Sequence, residues 1–232
     1  MNSKEYTLSR ILSLILHPLI IPTLAISALT LQPDIYTIVL PDTLKLWFIS
    51  LIFFFTLLIP ASSVVILLRF NVIYSIELKQ RSERTIPLLI ASTSYMGLLY
   101  FMKTTSIPPV FLYVLYSATF ALLAGLLINL VYKISLHTLG WGAFTATLTA
   151  ISVRLGIPML PIVLISIILS GFAGYARLKE NAHNQAQVYL GYIAGVCVVI
   201  LITLFSWLVG SENQTNRYRA NLRSEVFFKY RW

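Results

Sequence analysis

Residues 46–68 pass without a single charged side chain, and nothing else in the chain restricts its possible folds so strongly. At 1.5 Å per residue, a helix of roughly 20 such residues spans about 30 Å, the thickness of a bilayer's hydrocarbon core. That stretch belongs to one of seven apolar runs, residues 8–31, 44–70, 86–102, 107–131, a weaker 137–153, 157–175 and 186–209. Polar or proline-containing breaks separate them, among them Gln32-Pro33-Asp34, Lys103-Thr104-Thr105-Ser106 and Arg154-Leu155-Gly156. Chain reversal at a lipid headgroup costs least at such breaks. Lipid admits only helices or closed barrels, and the alternation of barrel strands is absent. The predicted fold is therefore all-α, a polytopic transmembrane helical bundle of six to seven spans.

Composition points the same way. The chain is 58% hydrophobic and 11% charged, against about 25% charged for a soluble domain. Soluble globular and disordered classes are both excluded. The net charge of +9 is spread thinly; it suits loop orientation and anionic headgroups rather than nucleic acid. Cys197, inside an apolar run, reads as a small packed thiol. The first run has a signal-peptide alternative, with Lys4 and Arg10 ahead of it and Ala25-Ile26-Ser27 imitating a cleavage site. Its length and its His17, Pro18 and Pro22 favour a kinked spanning helix. No repeat is visible, so residues 1–210 form one transmembrane domain, followed by a short basic tail over 211–232.

Counting crossings puts residues 71–85, 132–136 and 176–185 on the same membrane face. Ionisable groups at a membrane edge are costly and are functional candidates for that reason. The first segment carries Glu77, Lys79, Arg81, Glu83 and Arg84 just before Pro87; alone it reads as a solvated basic loop. In the second, Ser135 is a plausible N-cap that puts His137 in the first turn of the fifth span, beside amides that favour an anion. Alone, His137 reads as an interfacial anchor. In the third, His183 and Gln187 are one helical turn apart, so the amide oxygen can accept from one ring N–H and fix the tautomer. Arg177 lies about 240° round from His183 on a continuous helix, so the two converge only if a turn separates them. Together these residues suit phosphoryl chemistry: forked guanidinium donors for phosphate, one histidine as nucleophile and another as acid.

In order and spacing these segments resemble the type 2 phosphatidic-acid phosphatase superfamily, integral membrane phosphatases and phosphotransferases acting on lipid phosphates. Its signature runs K-x6-R-P, P-S-G-H and S-R-x5-H-x3-D. The third element is matched by Arg177, His183 and Gln187, with Ala176 for the serine. Ser135 and His137 match the second, with Ile134 for proline and Leu136 for glycine; Lys79, Arg84 and Pro87 supply the residue types of the first at altered spacing. The resemblance covers roughly residues 79–195.

It implies His183 as the nucleophile forming a phosphohistidine and His137 as the general acid. Arg177, Arg84, Lys79 and Ser135 would hold the phosphoryl oxygens, with neither metal nor other cofactor required. Gln187 would orient His183 without the charge of the family's aspartate; Glu83 and Glu180 are candidates to supply that carboxylate. Two functions follow as expectations: a lipid-phosphate phosphatase or phosphotransferase in the bilayer, or an inactive phosphatase-like protein that binds or transports an anionic lipid. The expected location is a bacterial inner membrane. The site face carries Lys4, Arg10, Arg69, Lys79, Arg81, Arg84, Lys133, Arg177 and Lys179, nine basic residues against eight on the other. Setting aside Lys79, Arg84 and Arg177 for chemistry leaves six against eight, which turns the tail to the cytoplasm and the site outward.

Overall fold

The computed structural model describes residues 3–30, 42–78, 80–105, 107–156 and 158–205, and every regular element among them is helical. Lys79 and the tail over 211–232 lie outside the described residues. Six helices are long and apolar enough to cross a membrane: α1 (Glu5–Thr30), α2 (Thr43–Arg69), α3 (Ser82–Lys103), α4 (Pro109–Asn129), α6 (Leu160–Lys179) and α7 (Gln185–Phe205). Between α4 and α6 runs α5 (Leu136–Leu155), similar in length but more polar. The chain is an integral membrane protein, an all-α bundle.

The polarity of α5 follows from its place. It packs against α4 and α6, and Thr138, Trp141, Phe144, Thr145, Thr147 and Ile151 are among its buried residues. Thr138, Thr145 and Thr147 therefore meet protein rather than lipid. Thr145 and Thr147 donate to the carbonyls of Trp141 and Ala143, and Thr145 meets the Ser166 hydroxyl of α6 at 2.9 Å. On the other side, a Cβ on Gly142 would strike the Tyr192 carbonyl of α7, and one on Gly195 the Leu139 carbonyl of α5. Small residues thus bring the two backbones into contact, as they do in membrane helix pairs.

The outer surface is apolar, with Leu14, Val65, Ile66, Leu164, Ile168, Leu201 and Phe205 all exposed. Cys197 is exposed too, which corrects the packed thiol expected from the sequence. The inward positions of α7 are Gly191, Gly195 and Val199, and Cys197 projects from the opposite side of the helix.

Two helices are irregular, each at a proline. The first half of α1 ends at Ile15, a short 3-10 turn covers Pro18–Ile20, and Ile21–Thr30 resumes the helix. His17 Nδ1 accepts from the Leu19 amide at 3.3 Å and caps this turn, in agreement with the kinked span read from the sequence. In α2 a π turn over Phe54–Leu58 precedes Pro60, whose ring supplies no N–H and crowds the preceding turn. The Ser94 and Tyr95 hydroxyls of α3 donate to the carbonyls of Phe55 and Thr56 at 2.7 and 3.2 Å.

Candidate functional site

The site forms where α6 gives way to α7. Asn181 takes a left-handed conformation, φ 52°, which asparagine tolerates better than most residues. The Ala182 and His183 amides then fold back onto the Arg177 carbonyl at 3.1 and 3.3 Å. This is the turn that Arg177 and His183 need in order to converge. At the start of α7 the Asn184 side chain accepts from the Gln187 amide at 2.9 Å, and Gln187 Oε1 accepts from the Asn184 amide at 3.3 Å. The pair makes a reciprocal cap of the helix.

That same Oε1 lies 2.9 Å from His183 Nδ1. A backbone amide only donates, so the Gln187 atom facing both groups is its oxygen, and Nδ1 must carry the ring proton. The lone pair of His183 is left on Nε2, 3.4 Å from Nη2 of Arg84. Burial, then the charge of Arg84, push the His183 pKa down to about 3, against the opposing pull of the Gln187 bond. At neutral pH the ring is uncharged with Nε2 unprotonated, the form a nucleophile requires.

Arg84, only 4% exposed, joins three segments. Its Nε donates to the Leu78 carbonyl at 2.8 Å and its Nη1 to the Ile134 carbonyl at 3.2 Å, while Nη2 faces His183. Next to Ile134, the Ser135 amide donates to the Gln187 carbonyl at 3.2 Å. The Ser135 hydroxyl accepts from the Thr138 amide as the N-cap of α5, and the residue is fully buried. Ser135 is thus the predicted cap, with its hydroxyl committed to the helix. Lys133, which the sequence reading left without a role, lies within electrostatic reach of Arg84, Arg177 and His183. Burial first, then the two arginines, lower its pKa.

Arg177 Nη1 donates to Ser13 Oγ at 2.8 Å and to Glu180 Oε2 at 2.6 Å. Its Nε is buried with no hydrogen-bond partner among the described residues. Burial raises the Glu180 pKa, opposed by the charge of Arg177. Glu83 accepts from the Tyr74 and Gln80 amides at 2.9 and 3.3 Å and so braces the loop before α3. Neither glutamate takes the place expected of a carboxylate on His183, because Gln187 already holds Nδ1.

His137 Nε2 donates to the Ser13 carbonyl at 3.1 Å, and its ring meets His17 edge-on, centroids 5.1 Å apart. Trp141 Nε1 donates to the Leu16 carbonyl at 3.0 Å. Side chains of α5 therefore take carbonyls at the break in α1, and all three histidines of the chain gather at this end of the bundle. Ser13 and His17 were missed as site residues; the signal in the sequence was the His17-Pro18 pair, which breaks the helix. Among the described residues, no three His, Cys, Asp or Glu side chains are grouped to hold a metal ion.

Compared with models of known protein families, with curated proteins and with solved structures, the chain matches none.

Proposed function

We propose that the chain is a lipid-phosphate phosphatase or phosphotransferase of the type 2 phosphatidic-acid phosphatase kind, its site facing outward from a bacterial inner membrane. The observation that carries this reading is the state of His183: Nδ1 tied to Gln187, Nε2 unprotonated and turned toward Arg84. A phosphoryl group entering there takes up the Arg84 N–H now facing Nε2, and the freed lone pair attacks phosphorus. The bond from phosphorus to the lipid oxygen breaks, and that oxygen takes up the proton of the substrate's own phosphate monoanion, passed across Nδ1 of the neutral His137 ring. The other ring nitrogen of His137 stays on the Ser13 carbonyl, so protons come and go at Nδ1 alone. Water then attacks the phosphohistidine, one of its protons passes by way of His137 Nδ1 to the departing dihydrogen phosphate, and Nε2 of His183 regains its lone pair. An alcohol in place of water gives transfer. Arg84, Arg177 and Lys133 supply the positive field that the phosphoryl oxygens need.

Purified protein with radiolabelled phosphatidic acid or an isoprenoid diphosphate tests this reading. Phosphate release is expected from the wild type and not from His183→Ala; equal release from both sinks it.

Two observations favour a second reading, in which the chain binds an anionic lipid without turnover. Gln187 brings no charge to the imidazolium of a phosphohistidine, and Arg177 is already paired with Glu180. An alkali-stable phosphohistidine at His183 after incubation with substrate excludes it.

A further inference from the structure

The resemblance begins near residue 79 and leaves α1 without a role. Yet the broken turn of α1 touches two of the residues on which the chemistry depends. The Ser13 carbonyl is held by His137 Nε2 at 3.1 Å, and its hydroxyl accepts from Arg177 Nη1 at 2.8 Å. The hydroxyl also hydrogen-bonds the Glu180 carboxylate. Ser13 is 7% exposed, so water offers Arg177 little substitute for that acceptor.

This geometry determines how the guanidinium is aimed. With Glu180 alone, Arg177 could follow the carboxylate of its own helix end. With Ser13 on the same Nη1, that nitrogen is fixed from a second element, whose backbone His137 pins in turn. Glu77 adds a second carboxylate charge near the guanidinium, and Nε remains buried with no hydrogen-bond partner among the described residues.

We propose that Ser13 is a positioning residue, holding Arg177 so that its unpartnered Nε N–H meets a phosphate monoester headgroup. The inference rests on the phosphate-site reading above, and it makes the N-terminal helix part of that site.

Full-length protein in detergent, titrated with dioleoyl phosphatidic acid, provides the test. Ser9 supplies the control: it is buried one turn earlier in α1, and among the described residues its hydroxyl bonds the Tyr6 carbonyl of its own helix alone. Ser13→Ala is expected to weaken the Kd about tenfold, the loss typical of one hydrogen bond to a charged group. Where turnover is measured, KM should rise in parallel with kcat held within about twofold. Ser9→Ala should change neither. A Ser13→Ala Kd within about twofold of wild type overturns the inference, as does an equal loss in Ser9→Ala. Wild-type protein that binds the lipid but releases no phosphate overturns the phosphatase reading alone, and Ser13 keeps its role if its variant still weakens binding. No binding by the wild type overturns both.

Discussion

Arg84 and His183, far apart in sequence, meet with Nη2 3.4 Å from Nε2, and the same guanidinium clasps the carbonyls of Leu78 and Ile134. Arg84 therefore has two duties. Arg84→Ala should lose both, abolishing phosphate release and costing roughly 2–5 kcal/mol from broken charged hydrogen bonds. Arg84→Lys offers one ammonium in place of a fork and should keep part of the stability while activity still falls about a hundredfold. Thermal unfolding beside a phosphate-release assay separates the two losses.

The depressed pKa of His183 predicts how stability changes with acid. The unfolded ring titrates near 6.5 and the folded one at about 3. The unfolded state therefore binds more protons between those values, and stability falls as pH drops from about 7 toward 3. Above pH 7 this contribution is fully present. His183→Gln cannot titrate, so its melting temperature should fall less steeply between pH 7 and pH 4 than that of the wild type.

Gln187→Glu keeps the oxygen facing Nδ1 and adds a charge. The carboxylate should raise the His183 pKa from about 3 back toward the ordinary range, and a phosphohistidine imidazolium should be better stabilised beside it. The expected outcome is a kcat about tenfold higher, with the acid limb of the pH–rate profile displaced upward. An unchanged profile would show that Gln187 does not govern the ring.

Close contact between α5 and α7 predicts a strong effect from a single methyl group. A Cβ at position 195 would run into the Leu139 carbonyl, backbone that cannot rotate away. Gly195→Ala should cost about 1–3 kcal/mol through overpacking. Gly171→Ala, where nothing lies within 4 Å of the added carbon, should be close to neutral. Melting curves of the two variants in detergent provide the comparison.

The balance of basic residues predicts that a reporter fused after Trp232 lies on the cytoplasmic side. Paired fusions that report periplasmic and cytoplasmic placement check this directly; a periplasmic signal would turn the site inward.

Six spans could be read from apolar run length, because a lipid solvent imposes so direct a length requirement, whereas the weak run over 137–153 is the more polar helix α5, which is not among those six. The Ser135 cap, the kink near Pro18 and the turn between Arg177 and His183 were equally readable, since each depends on neighbours a few residues away. What escaped was contact between distant helices. Nothing local to Ser13 says that Arg177 stands beside it, and nothing in the apolar run around Cys197 shows which side of α7 meets protein. Glu83 and Glu180 share the site's end of the bundle, but only the fold shows them occupied by backbone amides and by Arg177.

The polarity of α5 also bears on what holds it in the bilayer. Four threonines, a serine, a histidine and an arginine lie within Leu136–Leu155, and such a helix gains little by entering lipid alone. Its stability in the bilayer comes from company: α4 before it, α6 after it, and α7 closing against its glycine face. Taken out of the bundle, α5 would leave Thr138, Thr145 and Thr147 facing lipid, so its place in the bilayer depends on those neighbours. The site likewise depends on α7 being in place, because Gln187 at its start holds both the His183 ring and the Ser135 amide.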